Sequence, residues 1–201
     1  MLIEITSDIY EVELDIIYAS DRNFTGKEIY SRDACYLHRD AAEKLNNAII
    51  LANIMGYKIK IFDAFRPSEA QWLLWEKDPN PNFLSDPRKG SPHSRGVAID
   101  LTLVGGNGVE LDMGTKFDDF SELSHHGNLT ISSVAQKNRA ILLGIMTSAG
   151  WDYYRNEWWH YQLYNARKNY EILGDCYLKE SMMFTSDIKH VKKIDGFKNN
   201  K

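Results

Sequence analysis

The chain has 201 residues, of which 43% are hydrophobic and 26% are charged, and this composition suits one globular domain with a sizeable core. Its 24 Lys and Arg residues against 28 Asp and Glu residues give a net charge of −4, without the basic stripe of a nucleic-acid-binding protein. The first residues form no leader with a basic start, and no apolar run reaches the roughly 20 residues that cross a bilayer. We therefore expect no nucleic-acid partner, no membrane association and a cytoplasmic location; a periplasmic one would require a leader that has been removed.

The first half of the chain contains two amphipathic patterns. Alternating apolar and polar residues predict a strand over residues 8–18. Apolar residues at helical spacing predict a helix from Arg39 to Met55, which Gly56 ends. A second strand over residues 58–65 follows, and Pro67 opens a second helix.

The middle of the chain is irregular. Residues 78–94 hold four of the five prolines, and a loop of this length inside a compact domain is often functional. The remaining predicted elements are a strand at 97–104, a glycine-rich turn at 105–108 toward a short strand at 109–111, a helix at 133–149, and two aromatic strands near 151–154 and 158–162.

Composition changes after Tyr164. Residues 165–201 carry eight Lys and Arg against five Asp and Glu, a charge of +3, so that the rest of the chain carries −7. We divide the chain into a domain over residues 1–164 and a C-terminal extension over 165–201, expected to be a docked helix followed by a loose tail. Its polar end, Lys198–Lys201, is predicted to be disordered.

A dense motif follows the proline-rich loop. Ser91, His93, Gly96, Ala98 and Asp100 fit the pattern Ser-x-His-x-x-Gly-x-Ala-x-Asp. A lone loop histidine is usually a surface residue, but at average residue usage this joint pattern arises by chance in about one chain of this size in ten thousand. The downstream run Glu157-Trp-Trp-His160 makes coincidence still less plausible.

These residues have the chemistry of a metal site. Two imidazoles and one carboxylate, from His93, His160 and Asp100, suit zinc and leave a fourth position open, as in catalytic sites. We therefore expect one Zn²⁺ per chain. Glu157 is the candidate general base, which takes a proton from the attacking water and returns it to the leaving amine.

That assignment requires a bend. Residues three apart on a strand face opposite sides, so Glu157 and His160 can meet one ion only if the chain turns at Trp158 and Trp159. If the two tryptophans desolvate Glu157, its pKa should rise.

Arg66 lies between a predicted strand and a predicted helix, where a guanidinium can reach a cleft. It is a candidate donor to the oxyanion of a tetrahedral intermediate, and loss of such a donor costs about 3–4 kcal/mol. Asp63 either orients Arg66 or caps a turn.

The other histidines and the cysteines have structural interpretations. We expect His125 and His126 to shape a loop wall, since adjacent residues rarely bind one metal together, and His38 and His190 to lie at the surface. The two cysteines lack a partner at ligand spacing and fit a reducing compartment, so we expect them to be structural; they are Cys35 and Cys176.

With these motifs the chain resembles the D-alanyl-D-alanine dipeptidases of the vancomycin-resistance type, within the zinc D,D-peptidase family that shares its metal-site fold with the Hedgehog signalling domain. The similarity extends over about residues 10–162 and includes the segments 18–26, 62–67, 91–103, 113–118, 124–126, 138–139 and 157–161. It implies an α+β fold in a single domain, with a central antiparallel sheet and flanking helices. It also implies zinc ligation by His93, Asp100 and His160, general-base catalysis by Glu157 and transition-state stabilisation by Arg66.

The resemblance extends to the substrate. Asp118 matches the acid that holds the substrate's free ammonium, and Ser91 and Tyr18 match residues placed around the dipeptide. A zwitterionic dipeptide needs an anion at one end of its site and donors at the other. The sequence departs from the family pattern in two places. Pro92 stands where a small polar residue is expected, and this change affects the direction of the Ser91 hydroxyl. Residues 165–201 have no recognised counterpart.

The leading hypothesis is hydrolysis of the D-Ala-D-Ala dipeptide to two D-alanines. The alternatives are a D,D-carboxypeptidase or peptidoglycan endopeptidase with the same zinc site, a non-enzymatic zinc-binding module, and a metal-free globular protein. Retention of Glu157 and Arg66 argues against the binding module, because a structural ion needs neither. A homo-oligomer stays possible.

Overall fold

The computed structural model describes residues 1–194 and 196–197. The prediction for Lys198–Lys201 lies outside the described residues. Within them, no helix is long and apolar enough to cross a membrane.

The described chain forms short strands and six α-helices around one core. The strands are β1 (Leu2–Glu4), β2 (Glu13–Leu14), β3 (Tyr36–His38), β4 (Lys58–Asp63), β5 (Ala98–Val104), β6 (Asp152–Tyr153) and β7 (His160–Gln162). The helices are α1 (Ser7–Tyr10), α2 (Arg39–Ile54), α3 (Ser68–Lys77), α4 (Ser133–Ser148), α5 (Ala166–Asn169) and α6 (Thr185–Val191).

The main sheet has five strands in the order β2-β4-β5-β7-β6. Its neighbours pair antiparallel except β2, which runs parallel to β4 over two residues. A separate antiparallel pair joins β1 to β3. The predicted α+β fold is confirmed, and the sheet is mixed because of the single parallel pair.

Strand β5 is the centre of the core. All seven of its residues are buried, because β4 and β7 flank it and other elements cover both faces. Helix α2 buries residues at helical spacing, among them Leu45, Ala48 and Ala52, against β4 and α4. A carboxylate within such an apolar strand, as at Asp100, needs compensating partners.

Two sequence predictions are wrong in detail. In place of a strand over residues 8–18 the chain forms α1, the two-residue β2 and a 3₁₀ turn at Ile17–Ala19. Glu11 ends α1 in the left-handed region with φ 54°, so no extended run continues through it. The predicted strand at 109–111 is reduced to an isolated bridge between Val104 and Glu110.

The segment after Tyr164 packs on the rest of the chain. Helix α6 contacts α3, and buried Asp175 accepts a hydrogen bond from the Met182 amide. The Asp175 amide in turn donates to Glu69 Oε2 at 3.0 Å. The division of the chain at residue 164 stays a prediction.

Candidate metal centre and active site

The sheet brings the predicted metal ligands together. Asp100 on β5 stands directly opposite His160 on β7 in the antiparallel register. His93 begins a 3₁₀ turn that leads into β5, and Gly96 ends that turn with φ 68°. A Cβ at Gly96 would lie 2.6 Å from Leu2 Cδ2 and 3.0 Å from the His38 amide nitrogen, so only glycine fits.

Three ligand atoms form a nearly equilateral triangle. His93 Nε2 lies 3.0 Å from His160 Nδ1 and 3.3 Å from Asp100 Oδ1, and His160 Nδ1 lies 3.0 Å from the same oxygen. A tetrahedral zinc with ligands at about 2.0–2.1 Å has ligand–ligand distances of about 3.3 Å. The spacing of the three buried residues therefore fits a tetrahedral metal ion.

Hydrogen bonds on the far sides of the two rings support the same conclusion. His93 Nδ1 lies 2.7 Å from the Ala64 carbonyl oxygen, and His160 Nε2 lies 3.2 Å from Gln162 Oε1. Because an oxygen acceptor requires the proton on the outer nitrogen, each neutral ring presents its lone pair at the inner nitrogen. Two lone pairs 3.0 Å apart repel each other unless a cation lies between them.

Asp100 completes the donor set as a carboxylate. Burial acts to raise its pKa, but in the metal-free site the charge that His93 and His160 carry when protonated, together with their hydrogen bonds, outweighs burial and holds the pKa well below its usual range. Its Oδ1 faces the histidines, and its Oδ2 lies 3.6 Å from Arg66 Nη2. The ionised form needed to bind a metal is therefore the stable form.

Glu157 lies in the turn between β6 and β7. Its amide donates to the Tyr154 carbonyl, and the Trp158 amide donates to the Ser124 carbonyl, so the chain bends before β7 as the sequence argument requires. Glu157 Oε2 thereby lies 3.8 Å from His160 Nδ1. Burial, reinforced by Asp100 and Asp118, raises the pKa of Glu157 well above its usual range, as expected for a proton acceptor that works near neutral pH.

Arg66 is held in place by its neighbours. Its Nε and Nη2 contact Asp63 Oδ2 at 2.9 and 2.8 Å, and its Nη1 donates to Gln71 Oε1 at 3.1 Å. Tyr30 donates to the other Asp63 oxygen at 2.9 Å. Of the two interpretations of Asp63, the structure shows the contact with Arg66.

The substrate-binding candidates fall into two places. The Tyr18 hydroxyl donates to Asp118 Oδ2 at 2.9 Å, and the Arg66 guanidinium stacks 4.9 Å over the Tyr18 ring. Burial, opposed by Arg66, raises the pKa of Asp118 to about 8. Ser91, beyond Pro92, turns its oxygen toward the chain, where it accepts a hydrogen bond from the His93 amide at 3.2 Å.

All eight predicted site residues line one cavity of about 530 Å³. The proline-rich loop supplies one wall, which includes Phe83, Leu84 and Lys89. Phe83 stacks on Phe120, and the Tyr154 hydroxyl donates to the Asn82 carbonyl, so the loop is anchored to the opposite wall. The loop therefore lines the cavity, and its functional role stays a prediction.

Comparison with known proteins places the chain in a family. The sequence profile of a peptidase family described as D-Ala-D-Ala dipeptidase matches residues 2–179. The chain belongs to this family. It is 39% identical over 188 residues to a D-alanyl-D-alanine dipeptidase of Escherichia coli strain K12, covering 92% of this chain and 97% of the relative.

Two further relatives carry the same name. The chain is 36% identical over 176 residues to one from Enterococcus faecalis, covering 77% of this chain and 87% of the relative. It is 30% identical over 173 residues to one from Streptomyces coelicolor, covering 76% and 86%. The family is one of metallopeptidases. This agrees with the geometry of His93, Asp100 and His160, which together form the His-Asp-His cluster.

The sequence argument assigned no role to Arg139, which supports the candidate site. Arg139 on α4 donates to the carbonyls of Met113, Leu123 and His125 at 2.6, 2.8 and 3.1 Å. Its guanidinium also stacks 5.9 Å from the Trp158 ring. Arg139 thus joins the start of the segment that leads to Asp118 to the turn that bears Glu157. The Asn138-Arg139 pair was visible in the sequence, but its long-range contacts were not.

The remaining histidines and cysteines take no part in the His-Asp-His cluster. His126 is largely buried against Tyr153 and Tyr161, and burial, reinforced by Arg139, lowers its pKa to about 4. The other five also lie outside the cluster. The His125 ring lies 6.3 Å from the Phe83 ring of the proline-rich loop, His38 accepts from the Asp40 amide at the start of α2, and exposed His190 lies 2.9 Å from Glu76. Cys35 is a buried free thiol and Cys176 an exposed one.

Proposed function

We propose that this protein is a zinc-dependent dipeptidase that hydrolyses D-Ala-D-Ala to two D-alanines. The observation that carries the proposal is the triangle of His93 Nε2, Asp100 Oδ1 and His160 Nδ1, with sides of 3.0–3.3 Å, beside buried Glu157. The family match and the names of the relatives support the substrate.

His93, Asp100 and His160 would hold the ion. A divalent metal in that position supplies a Lewis acid that polarises the scissile carbonyl and lowers the pKa of a bound water. Zinc is favoured by the donor set of two imidazoles and one carboxylate, although other divalent ions accept the same donors.

Glu157 performs the proton transfers. As water attacks the scissile carbonyl carbon, the Glu157 carboxylate takes a proton from that water. The raised pKa of Glu157 makes it a good acceptor, and it then returns the proton to the leaving amine when the C–N bond breaks.

Arg66 and Asp118 stabilise the two charged parts of the substrate. The carbonyl oxygen gains negative charge in the tetrahedral transition state, and the Arg66 guanidinium, fixed by Asp63 and Gln71, is preorganised to donate to it. Asp118, with Tyr18 donating to it, receives the substrate ammonium. An incoming cation favours the ionised form of Asp118, whose pKa is about 8 in the free site.

Asp118 also distinguishes the dipeptidase function from that of a carboxypeptidase or endopeptidase with the same metal site. A D,D-carboxypeptidase or peptidoglycan endopeptidase acts on acylated substrates, which lack the ammonium that Asp118 would bind. We expect D-alanine release from D-Ala-D-Ala and little or none from N-acetyl-D-Ala-D-Ala, measured side by side with a D-alanine assay. Efficient cleavage of the acetylated compound would refute the dipeptidase assignment and favour a carboxypeptidase. The cytoplasmic location and the possibility of a homo-oligomer stay predictions.

A further inference from the structure

The segment that bears Asp118 is held in an unfavourable backbone conformation. Asp118 has φ 59°, and among the described residues it is one of three other than glycine with a positive φ. A left-handed backbone is uncommon for a residue with a side chain, so the surrounding contacts must impose it. The bond from Tyr18 holds the Asp118 carboxylate, whereas the contacts that fix the backbone lie on either side of Asp118.

Ser124 contacts this segment both before and after Asp118. Its hydroxyl donates to the Asp119 carbonyl at 2.6 Å, and its oxygen lies 3.0 Å from Thr115 Oγ1. Because a hydroxyl has one proton, Ser124 accepts from the Thr115 hydroxyl while it donates to Asp119. Ser124 is 0% exposed, so water cannot take the place of either partner.

The same hydrogen bonds reach the turn that bears Glu157. Trp158 Nε1 donates to Thr115 Oγ1 at 2.8 Å, and the Trp158 amide donates to the Ser124 carbonyl at 3.1 Å. A chain of donors therefore runs from the indole through two hydroxyls to the carbonyl that follows Asp118, and each hydroxyl donates once and accepts once. A satisfied buried chain of this kind is rigid, because each bond polarises the next.

Ser124 and Thr115 act behind the active site. Neither residue is part of the lining of the cavity that contains Asp118, so neither contacts a substrate bound there. Their bonds fix the backbone on which Asp118 stands, and they fix it relative to the turn that bears Glu157. An effect of either hydroxyl on the reaction must therefore pass through another residue.

We propose that Ser124 is a positioning residue for substrate recognition, and that its hydroxyl, together with that of Thr115, holds Asp118 where it receives the substrate ammonium. The inference rests on the proposed dipeptidase function. The ammonium keeps its charge throughout hydrolysis, so Asp118 binds it equally in the ground state and in the transition state. A displaced Asp118 should therefore raise KM and leave kcat nearly unchanged.

The test measures D-Ala-D-Ala hydrolysis by zinc-loaded variants. Ser124→Ala removes one hydroxyl, and Thr115→Val replaces the other with a methyl group of similar size. We expect each substitution to raise KM roughly tenfold, the scale of one weakened hydrogen bond to a charged group, and to change kcat less than about threefold. Thr115→Ser keeps its hydroxyl and should return KM to within about threefold of wild type.

Ser132→Ala is the matched control. The Ser132 hydroxyl accepts from the Ala135 amide at the start of α4, so this substitution also removes a stabilising hydroxyl, but at an exposed position outside the cavity. We expect it to lower Tm and to leave KM unchanged. In an Asp118→Asn background, Ser124→Ala should change KM less than about twofold, because the carboxylate that it positions is gone.

The outcomes separate the positioning role from the dipeptidase function. An unchanged KM in Ser124→Ala and Thr115→Val, a loss confined to kcat, or an equal rise in KM in the Asp118→Asn background would overturn the positioning role alone, provided that wild type releases D-alanine. A wild type that releases none would overturn both. If Ser124→Ala does not fold, the contrast between Thr115→Val and Thr115→Ser decides on the same terms.

Discussion

At the scale of single residues, the site is defined by side chains that are costly to bury. Three buried acids illustrate this cost: Asp63, Asp100 and Glu157. Asp63 fixes Arg66, and Asp100 faces two imidazoles. Burial raises the pKa of Glu157, and the nearby carboxylates of Asp100 and Asp118 raise it further against the opposing charge of Arg66.

Replacing Glu157 separates catalysis from metal binding. Glu157→Gln keeps the size and hydrogen-bonding capacity of the side chain but cannot accept the proton. We expect kcat to fall by about 10²–10⁴ while zinc content, measured by elemental analysis, stays at one per chain. Glu122→Gln, at an exposed position outside the cavity, is the control. Unchanged turnover would remove Glu157 from the mechanism.

Asp118 is a site where function costs stability. Its pKa is near 3.9 in an unfolded chain and about 8 in the fold, so between these pH values the folded state binds more protons. Stability therefore decreases as pH rises from about 4 to about 8. In metal-free protein we expect Asp118→Asn to match wild type in Tm at pH 4 and to exceed it by several degrees at pH 8. A variant less stable than wild type at pH 8 would contradict this assignment.

At the scale of elements, the register between β5 and β7 and the turn before β5 build the cluster. The β pairing opposes Asp100 to His160, and the left-handed Gly96 reverses the chain so that His93 returns to them. The sequence predicted the cluster because its residues are close together in two short motifs.

Gly96→Ala tests that turn. An alanine at this position would keep an unfavourable positive φ, and its methyl group would collide with Leu2 and the His38 amide. We therefore expect a loss of roughly 1–3 kcal/mol in stability and weaker zinc binding. Gly108→Ala has a similar φ of 75° and no atom within 4 Å of the new Cβ, so it measures the backbone strain alone. Stability is measured by urea unfolding and zinc affinity by titration. Equal losses of both in the two variants would show that close packing at Gly96 is unimportant.

Elements that depend on distant partners were the ones that sequence could not predict. Strand β2 exists only because two residues pair with β4, and the alternation over residues 8–18 belongs to three short elements with a left-handed residue between them. Arg139 likewise acts through carbonyls 14 to 26 residues away along the chain. The periodicity of apolar residues predicts which side chains are buried, but it does not predict which distant residues they contact.

At the scale of the whole molecule, the cavity gathers charged residues from distant parts of the chain. Asp118, Glu157 and the His-Asp-His cluster line it together with three exposed basic residues, Lys89, Arg167 and Lys168. Arg167 and Lys168 lie after Tyr164, so the C-terminal segment contributes to the cavity as well as to the packing around α3.

The most direct test of the central claim is a zinc titration of chelator-stripped protein, with D-alanine release from D-Ala-D-Ala as the readout. We predict that stripped protein is inactive, that the rate rises in proportion to added Zn²⁺, and that it reaches its plateau at one equivalent per chain. Full activity in the stripped protein, or no D-alanine release at any zinc ratio, would contradict the account.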